Sequence, residues 1–406
     1  MNAQPTHRVP LRLAIGLGLI GALGPSAVDM YLSSLPQIAR EYQSSFASVQ
    51  LTLTFFLLAM GAGQLIFGPI VDAYGRRRPL LAGLLLFTLC SLGAAWAPTL
   101  ETLIALRFVQ GLGSALTLVV IMSMVRDVSE GVAATKLFAL LMTIEGVAPI
   151  FAPALGGIID THYGWRAVML VLAGFGLAVL GNSWLSLPET LAPSQREPLR
   201  LGAACRTYLT IARDPHFLRP TLAVAAVFFF LFAYIGGATL VYQQTYGLSP
   251  QAFGMLFGVT GVAILIGAMS AGKLVSRLGL SRLSLIGVSC MAGGSAIALV
   301  SSVTLLGLPG IVAGMAVALF GLGIAESTLM SLVMSSQKRA LGSTAALLGA
   351  FQLSISASAT PLSALALTYG PVAWAALLLA SALLTCLLTT ISLPRGAGQT
   401  YDLTGH

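Results

Sequence analysis

Apolar residues run through this chain in long blocks, and polar residues fall between the blocks at short, recurring intervals. A helix that crosses a bilayer needs about 20 predominantly apolar residues, at 1.5 Å of rise each across about 30 Å of hydrocarbon. Scanned with that window, the chain predicts spanning helices over 11–32, 49–72, 79–97, 100–125, 135–159 and 166–187. A second set falls over 219–243, 251–276, 281–302, 308–335, 342–369 and 371–393. The first block runs from Leu11 to Leu32 with no small-residue cleavage site after a short apolar core, so it reads as a first helix and not as a removable signal.

The longest polar stretch, from Pro188 to about Arg219, divides these helices six and six. The expected organisation is an N-terminal six-helix bundle over 1–187, a cytoplasmic linker over 188–218, and a C-terminal six-helix bundle with a short cytoplasmic tail over 219–406. The linker carries a short amphipathic segment with Tyr208 and Asp214. The halves also echo each other. GPIVDAYG begins at Gly68 and GKLVSRLG begins at Gly272, 204 residues later, each after the second helix of its half. Such repetition marks transporters built from two related halves with a substrate site between them near the midplane. The fold class expected is therefore an all-α integral membrane protein of two pseudo-symmetric halves.

Composition agrees with the pattern. Hydrophobic residues make up 57% of the chain and charged ones 8%, where a soluble domain carries about 25% charge. The 44 glycines suit helices whose backbones approach closely. A net charge of +8 raises the question of nucleic acid, but position answers it. Of the 21 Lys and Arg, Arg107 falls inside the fourth span and Arg40 and Arg166 fall in outward loops, while all the others lie at inward loops and termini. That is the distribution that fixes topology, with both termini cytoplasmic. The four cysteines are scattered without metal-ligand or disulfide spacing. No nucleophile motif, metal signature or Walker-type phosphate loop is present, which argues against an enzyme and against export driven by ATP on this chain alone.

Three strings carry a family resemblance. GPIVDAYGRR (Gly68–Arg77) resembles the loop motif G-x-L-x-D-R-x-G-R-R of the major facilitator superfamily, with Ala73 at a usually basic position. LIALRFVQGLGSA (Leu103–Ala115) resembles its fourth-helix motif, and GVAPIFAPALGG (Gly146–Gly157) its fifth-helix antiporter motif, with Ala152 in place of Gly. VDMYLSSLPQIA, VRDV, GWRA and LPETL are similar to the Bcr/CflA branch of bicyclomycin and chloramphenicol resistance transporters, although Ser33 stands where that branch usually has Pro. The resemblance implies a monomer in the bacterial cytoplasmic membrane that exports small amphiphilic drugs against protons. No cofactor is implied, the proton gradient supplying the energy. An importer or facilitator of one metabolite on the same fold is the alternative.

Charged side chains in hydrocarbon cost about 2.5–3.5 kcal/mol each on insertion scales, so the few retained there are functional candidates. They are Asp29, Glu145, Glu326 and the single internal cation Arg107. A carboxyl group in a poorly hydrated cavity is penalised as an anion, so Asp29 can take and release a proton in the working pH range. Arg107 cannot release its proton, and at similar depth it can tune Asp29 or pair with it statically. Glu145 and Glu326 can carry a second proton, attract a cationic substrate or simply bond a neighbouring hydroxyl. Gly68, Asp72, Gly75, Arg76 and Arg77, with Gly272 and Arg277 in the second half, read as a gate of charge-assisted contacts. Pro149, Pro153, Gly156 and Gly157 read as a kink and close-packing site. Candidate cavity residues are Tyr31, Gln64, Gln110, Asn182, Phe230, Tyr234 and Gln352.

Overall fold

The computed structural model describes residues 11–128, 131–196, 198–336 and 341–393, and every regular element among them is helical. The first pass is made of α1 (Leu11–Asp29) and α2 (Leu35–Glu41), joined through a 3-10 turn at Leu32–Ser34. Then follow α3 (Phe46–Tyr74), α4 (Arg77–Ala95), α5 (Leu100–Val128), α6 (Gly131–Tyr163) and α7 (Trp165–Ser186). The short helix α8 (Leu201–Ala212) lies in the segment between the two sets. The second set is α9 (Pro215–Leu240), which ends in a π-helical turn at Val241–Thr245, then α10 (Pro250–Leu278), α11 (Leu280–Ser302), α12 (Gly307–Ser335), α13 (Leu341–Ala357) with α14 (Ala359–Leu367), and α15 (Pro371–Ser392). Eleven of these passes are long and apolar enough to cross a membrane, and α6, at 33 residues, is the remaining long helix.

Two passes are broken, each beside a proline. Pro36 lacks an amide hydrogen and its ring crowds the carbonyl of Leu32, which favours the break between α1 and α2, although α3 and α6 run on through Pro69 and through Pro149 and Pro153. Pro361 acts in the same way on Ala357 and favours the break between α13 and α14. The first pass consequently ends at Glu41, beyond the expected 32. The fifth reaches Tyr163, beyond the expected 159, which brings Asp160 inside a helix.

The repeat is visible in the backbone. Ser45 caps α3 by accepting from Ser48 N at 3.1 Å, and Ser249 caps α10 by accepting from Ala252 N at 3.1 Å. Gly75 and Gly279 both close those helices with positive φ, at 88° and 75°. Trp165 and Trp374 are both buried at the starts of α7 and α15. Backbones meet at glycines in both halves, Gly83 against Gly113 between α4 and α5 and Gly287 against Gly321 between α11 and α12. Outside, Leu89, Phe151, Leu177, Leu185, Val259 and Leu387 are exposed. A continuous apolar exterior of this kind suits lipid and not water.

Candidate functional site

Arg107 is fully buried on α5, and its contacts among the described residues are neutral. Nη1 donates to Gln110 Oε1 at 2.7 Å and Nη2 donates to the Ala27 carbonyl at 3.0 Å. The guanidinium lies over the Tyr31 ring at 4.7 Å and the Phe56 ring at 4.4 Å, so two π faces stabilise the cation. Gln110 Nε2 donates onward to Ser91 Oγ at 2.7 Å, and Tyr31 Oη shares a hydrogen bond with Thr52 Oγ1 at 3.1 Å. One network thus ties α1, α3, α4 and α5 together. Asp29 is the last residue of α1, at the break that Pro36 favours, and is 5% exposed. Among the described residues its carboxyl has no hydrogen bond or ion pair, so Asp29 and Arg107 are not joined in this conformation. Arg107 instead holds the backbone two residues before Asp29.

The end of the bundle that carries Gly75–Arg78 is the arginine-rich end. At the far end the halves are closed on each other. Gln50 Nε2 donates to the Gly236 carbonyl at 2.5 Å, Thr54 and Thr360 share a hydroxyl bond at 2.8 Å, and Gln243 Nε2 donates to the Ser33 carbonyl at 3.0 Å. The Pro149–Gly157 segment of α6 packs backbone to backbone on α10. A Cβ at Gly157 would overlap the Pro250 carbonyl, and one at Gly254 or Gly258 would overlap the carbonyls of Pro153 or Ile150. Gly156 presses on the Met30 carbonyl at the α1 break. Near the middle, Gly61 meets Leu353 and Ser354, and the Gln64 amide fills the space over Gly349.

At the arginine-rich end Arg76 gathers two carboxylates. Nη1 meets Asp72 Oδ1 at 2.6 Å and Nε meets Asp127 Oδ2 at 2.8 Å. Burial works against the cation here, but the Asp127 and Asp72 bonds outweigh it and hold Arg76 above the usual arginine range. Glu189, in the segment after α7, accepts from Arg76 N at 2.8 Å, Arg77 N at 3.3 Å and Leu191 N at 3.1 Å. Partial burial raises its proton affinity, and these N–H donors with Arg196 outweigh that, leaving the carboxyl below the usual glutamate range. A carboxylate at the start of α4 also meets the positive end of the helix dipole. Arg77 Nη2 reaches the Trp184 carbonyl at 2.7 Å, and Thr190 Oγ1 donates to Asp127 at 2.9 Å.

Residues 17–361 match the family model of the Major Facilitator Superfamily. The chain belongs to that superfamily. A Bacillus subtilis protein named as an uncharacterized MFS-type transporter, YdgK, is 36% identical over 89% of this chain and 90% of its own length. A bicyclomycin resistance protein homolog of Haemophilus influenzae is 30% identical over 69% of each chain. A chloramphenicol resistance protein of Pseudomonas aeruginosa is 30% identical over 76% of this chain and 72% of its own. These relatives place the chain in the drug-resistance branch of the superfamily. The solved structure of a D-xylose-proton symporter superposes with a TM-score of 0.74 over 95% of this chain and 98% of its own, at 17% identity. That likeness shows the fold.

Within this transporter the remaining candidates fall in separate places. Tyr234 stacks on Phe257 at 5.3 Å and on Trp374 at 6.3 Å, and its hydroxyl meets Thr260 at 3.2 Å. Phe230 is buried one turn earlier on α9. Gln352 is half-buried on α13, and Asn182 on α7 faces Gly16 of α1. Glu326 is half-buried on α12, three residues after Gly323, which presses on α10. The side chain of Glu145 lies outside the described residues. A Cβ at Gly68 would meet Tyr208 of α8 at 3.5 Å, whereas Gly272 has open space and Arg277 has no ion pair among the described residues. Gln50, Thr54, Asp127 and Glu189 were not singled out by sequence. Gln50, Thr54, Gly61 and Gln64 share one face of α3 at helical spacing, a polar and small stripe that identifies the inter-half seam.

Proposed function

We propose that this transporter exports small amphiphilic drugs, of the bicyclomycin or chloramphenicol kind, in exchange for protons, with Asp29 as the carrier. The observation that carries the reading is the Asp29 carboxyl, buried at the α1 break without a hydrogen bond or ion pair among the described residues. A buried carboxyl with no donor favours its neutral form, and hydration restores the anion. Alternating exposure of that one group to the two sides of the membrane converts a proton gradient into conformational work. The relatives named for resistance to bicyclomycin and chloramphenicol support drug as cargo.

In this reading both termini and the arginine-rich end face the cytoplasm of a bacterial inner membrane, and one copy of the chain suffices. Arg107, caged by Tyr31, Phe56 and Gln110, fixes the backbone that presents Asp29. Glu326 and Glu145 are the second-carboxyl candidates, for a further proton or for a cationic drug. Tyr31, Gln64, Phe230, Tyr234 and Gln352 supply an aromatic and amide lining, while Pro149–Gly157 on α10 and the Arg76 cluster hold opposite ends in the two states. The closed far end represents one of those states.

The test uses inverted vesicles containing the full chain, with labelled chloramphenicol and bicyclomycin as probes and an imposed pH gradient. Asp29→Asn is expected to abolish gradient-driven accumulation while leaving probe binding within about threefold, because the carboxyl and not the fold is lost. Undiminished accumulation in that variant removes Asp29 as the carrier. Accumulation driven in the opposite direction makes the chain an importer.

A further inference from the structure

Asp160 lies in the last turn of α6, only 5% exposed, and its Oδ1 atom has no hydrogen-bond partner among the described residues. It stands beside Ser34 in the 3-10 turn that follows the α1 break. Ser33 and Ser34 are both buried on that turn, and neither hydroxyl oxygen has a hydrogen-bond partner among the described residues. The turn is clamped from two sides. Gly156, one turn before Asp160 on α6, presses on Met30, and Gln243 of the second half donates to the Ser33 carbonyl. Three unsatisfied polar groups therefore lie along the seam that closes the far end.

Each such group buried without a partner is costly, and an anion costs far more than a neutral acid. Arg40 on α2 is the charged group that faces Asp160, yet no ion pair joins them within 4 Å among the described residues. Glu41 beside it is engaged by Arg166 and by Trp165 Nε1. A Ser34 hydroxyl turned toward the carboxylate and the charge of Arg40 both favour the anion, but burial, the larger effect, favours the acid, so the closed seam suits the protonated form, whose O–H can bond the Ser34 hydroxyl. Loss of that proton leaves an anion that needs water, and water can reach it only if the turn parts from α6.

We propose that Asp160, facing Ser34, is a second proton-binding site built into the far-end closure, which holds that end shut while its proton is bound and releases it when the proton leaves. The site is separate from Asp29: it sets when the end opens, and it acts whether or not Asp29 carries the transported proton.

The test follows the far end directly. The four native cysteines are replaced, and spin labels are placed at Tyr163→Cys and Leu305→Cys, exposed positions on the two halves. The distance distribution is measured in nanodiscs without drug from about pH 5 to about pH 9. The open population is expected to rise with pH in the parent, and a pH-dependent rise is expected to remain in Asp29→Asn. Asp160→Asn should stay closed throughout, and Asp160→Glu should keep a titration with a displaced midpoint. A pH-dependent opening that survives unchanged in Asp160→Asn would falsify the proposal, and so would a parent that does not open with pH. Opening that follows sodium at fixed pH makes the site a metal-cation site and overturns it too. Loss of vesicle transport in Asp29→Asn bears on the carrier alone, so the two readings can fail independently.

Discussion

The two halves turn the same corner with different chemistry. From the last turn of α3 onward the chain reads Asp72, Gly75, Arg76, Arg77, Arg78, and from the last turn of α10 it reads Ser276, Gly279, Leu280, Ser281, Arg282. The backbones agree, each glycine taking positive φ at the end of a 29-residue helix. The side chains do not. The first corner buries an arginine between two carboxylates and caps α4 with Glu189, while the second presents a leucine and has open space around Gly272 and Gly279. The repeat preserves the turn because glycine geometry requires it, and only one copy acquired the ion cluster. A latch needs to exist on one side of a rocking pair to bias it, and doubling it would deepen the same state.

Removing Arg76 should have the largest effect. Arg76→Ala strips Asp127, whose side chain is only 16% exposed, of its cation. Breaking a buried pair on one side costs about 3–5 kcal/mol. We expect a loss near the lower figure in thermal unfolding, together with transport reduced at least tenfold, and little recovery from Arg76→Lys because the fork is lost. Arg282→Ala, an exposed arginine at the second corner, should change neither quantity.

The glycines divide the shared backbone from the unshared partners. Either Gly→Ala change forces an L side chain into the glycine region at positive φ and ψ near 180°, at about 1–3 kcal/mol. A Cβ at Gly75 would also meet Glu189 Oε2 at 2.5 Å, while at Gly279 it meets nothing within 4 Å. Gly75→Ala should therefore destabilise by roughly 1 kcal/mol more than Gly279→Ala. Equal losses would show that Glu189 yields freely.

Glu189 gives a smaller, pH-dependent effect. Its carboxyl is held below the ordinary value of 4.5, so it takes up a proton more readily in the unfolded chain than in the folded one. Its contribution is fully present above about pH 4.5 and fades as pH falls through the lower folded value. Because the group is partly exposed, we expect under about 1 kcal/mol. The melting temperature of the parent should drop more steeply below about pH 5 than that of Glu189→Gln.

Much of this was legible in the sequence. The apolar blocks gave most passes to within a few residues, because spanning length is a local property, but the first pass runs on to Glu41 instead of ending at 32. The breaks at Ser33 and Ser358 were harder, since Pro36 and Pro361 each fall within or beside apolar runs that read as continuous helix. Asp29 and Arg107 stood out as charges in hydrocarbon, but sequence depth suggested that they pair, whereas Arg107 takes the Ala27 carbonyl and two aromatic rings. Asp127 and Glu189 were passed over as loop acids. Their role depends on chain segments 51 and 113 residues from Arg76 meeting at one corner, which no local window contains. Asp160 was missed for a simpler reason, since a span ending at 159 leaves it outside.

Grafting the missing pair into the second half is the smallest and most discriminating change. Ser276→Asp with Leu280→Arg recreates the i,i+4 geometry of Asp72 and Arg76 at an exposed helix end. Such a surface pair contributes about 0.3–0.5 kcal/mol, and the loss of the half-buried Leu280 offsets some of it. The last turns of α12 read SLVMS, with no acidic residue to play the part of Asp127. We therefore expect a stability change within about 0.5 kcal/mol of zero and unaltered transport. A gain approaching the loss seen in Arg76→Ala would mean that the local Asp72 pair, and not the long-range reach to Asp127, carries the first corner.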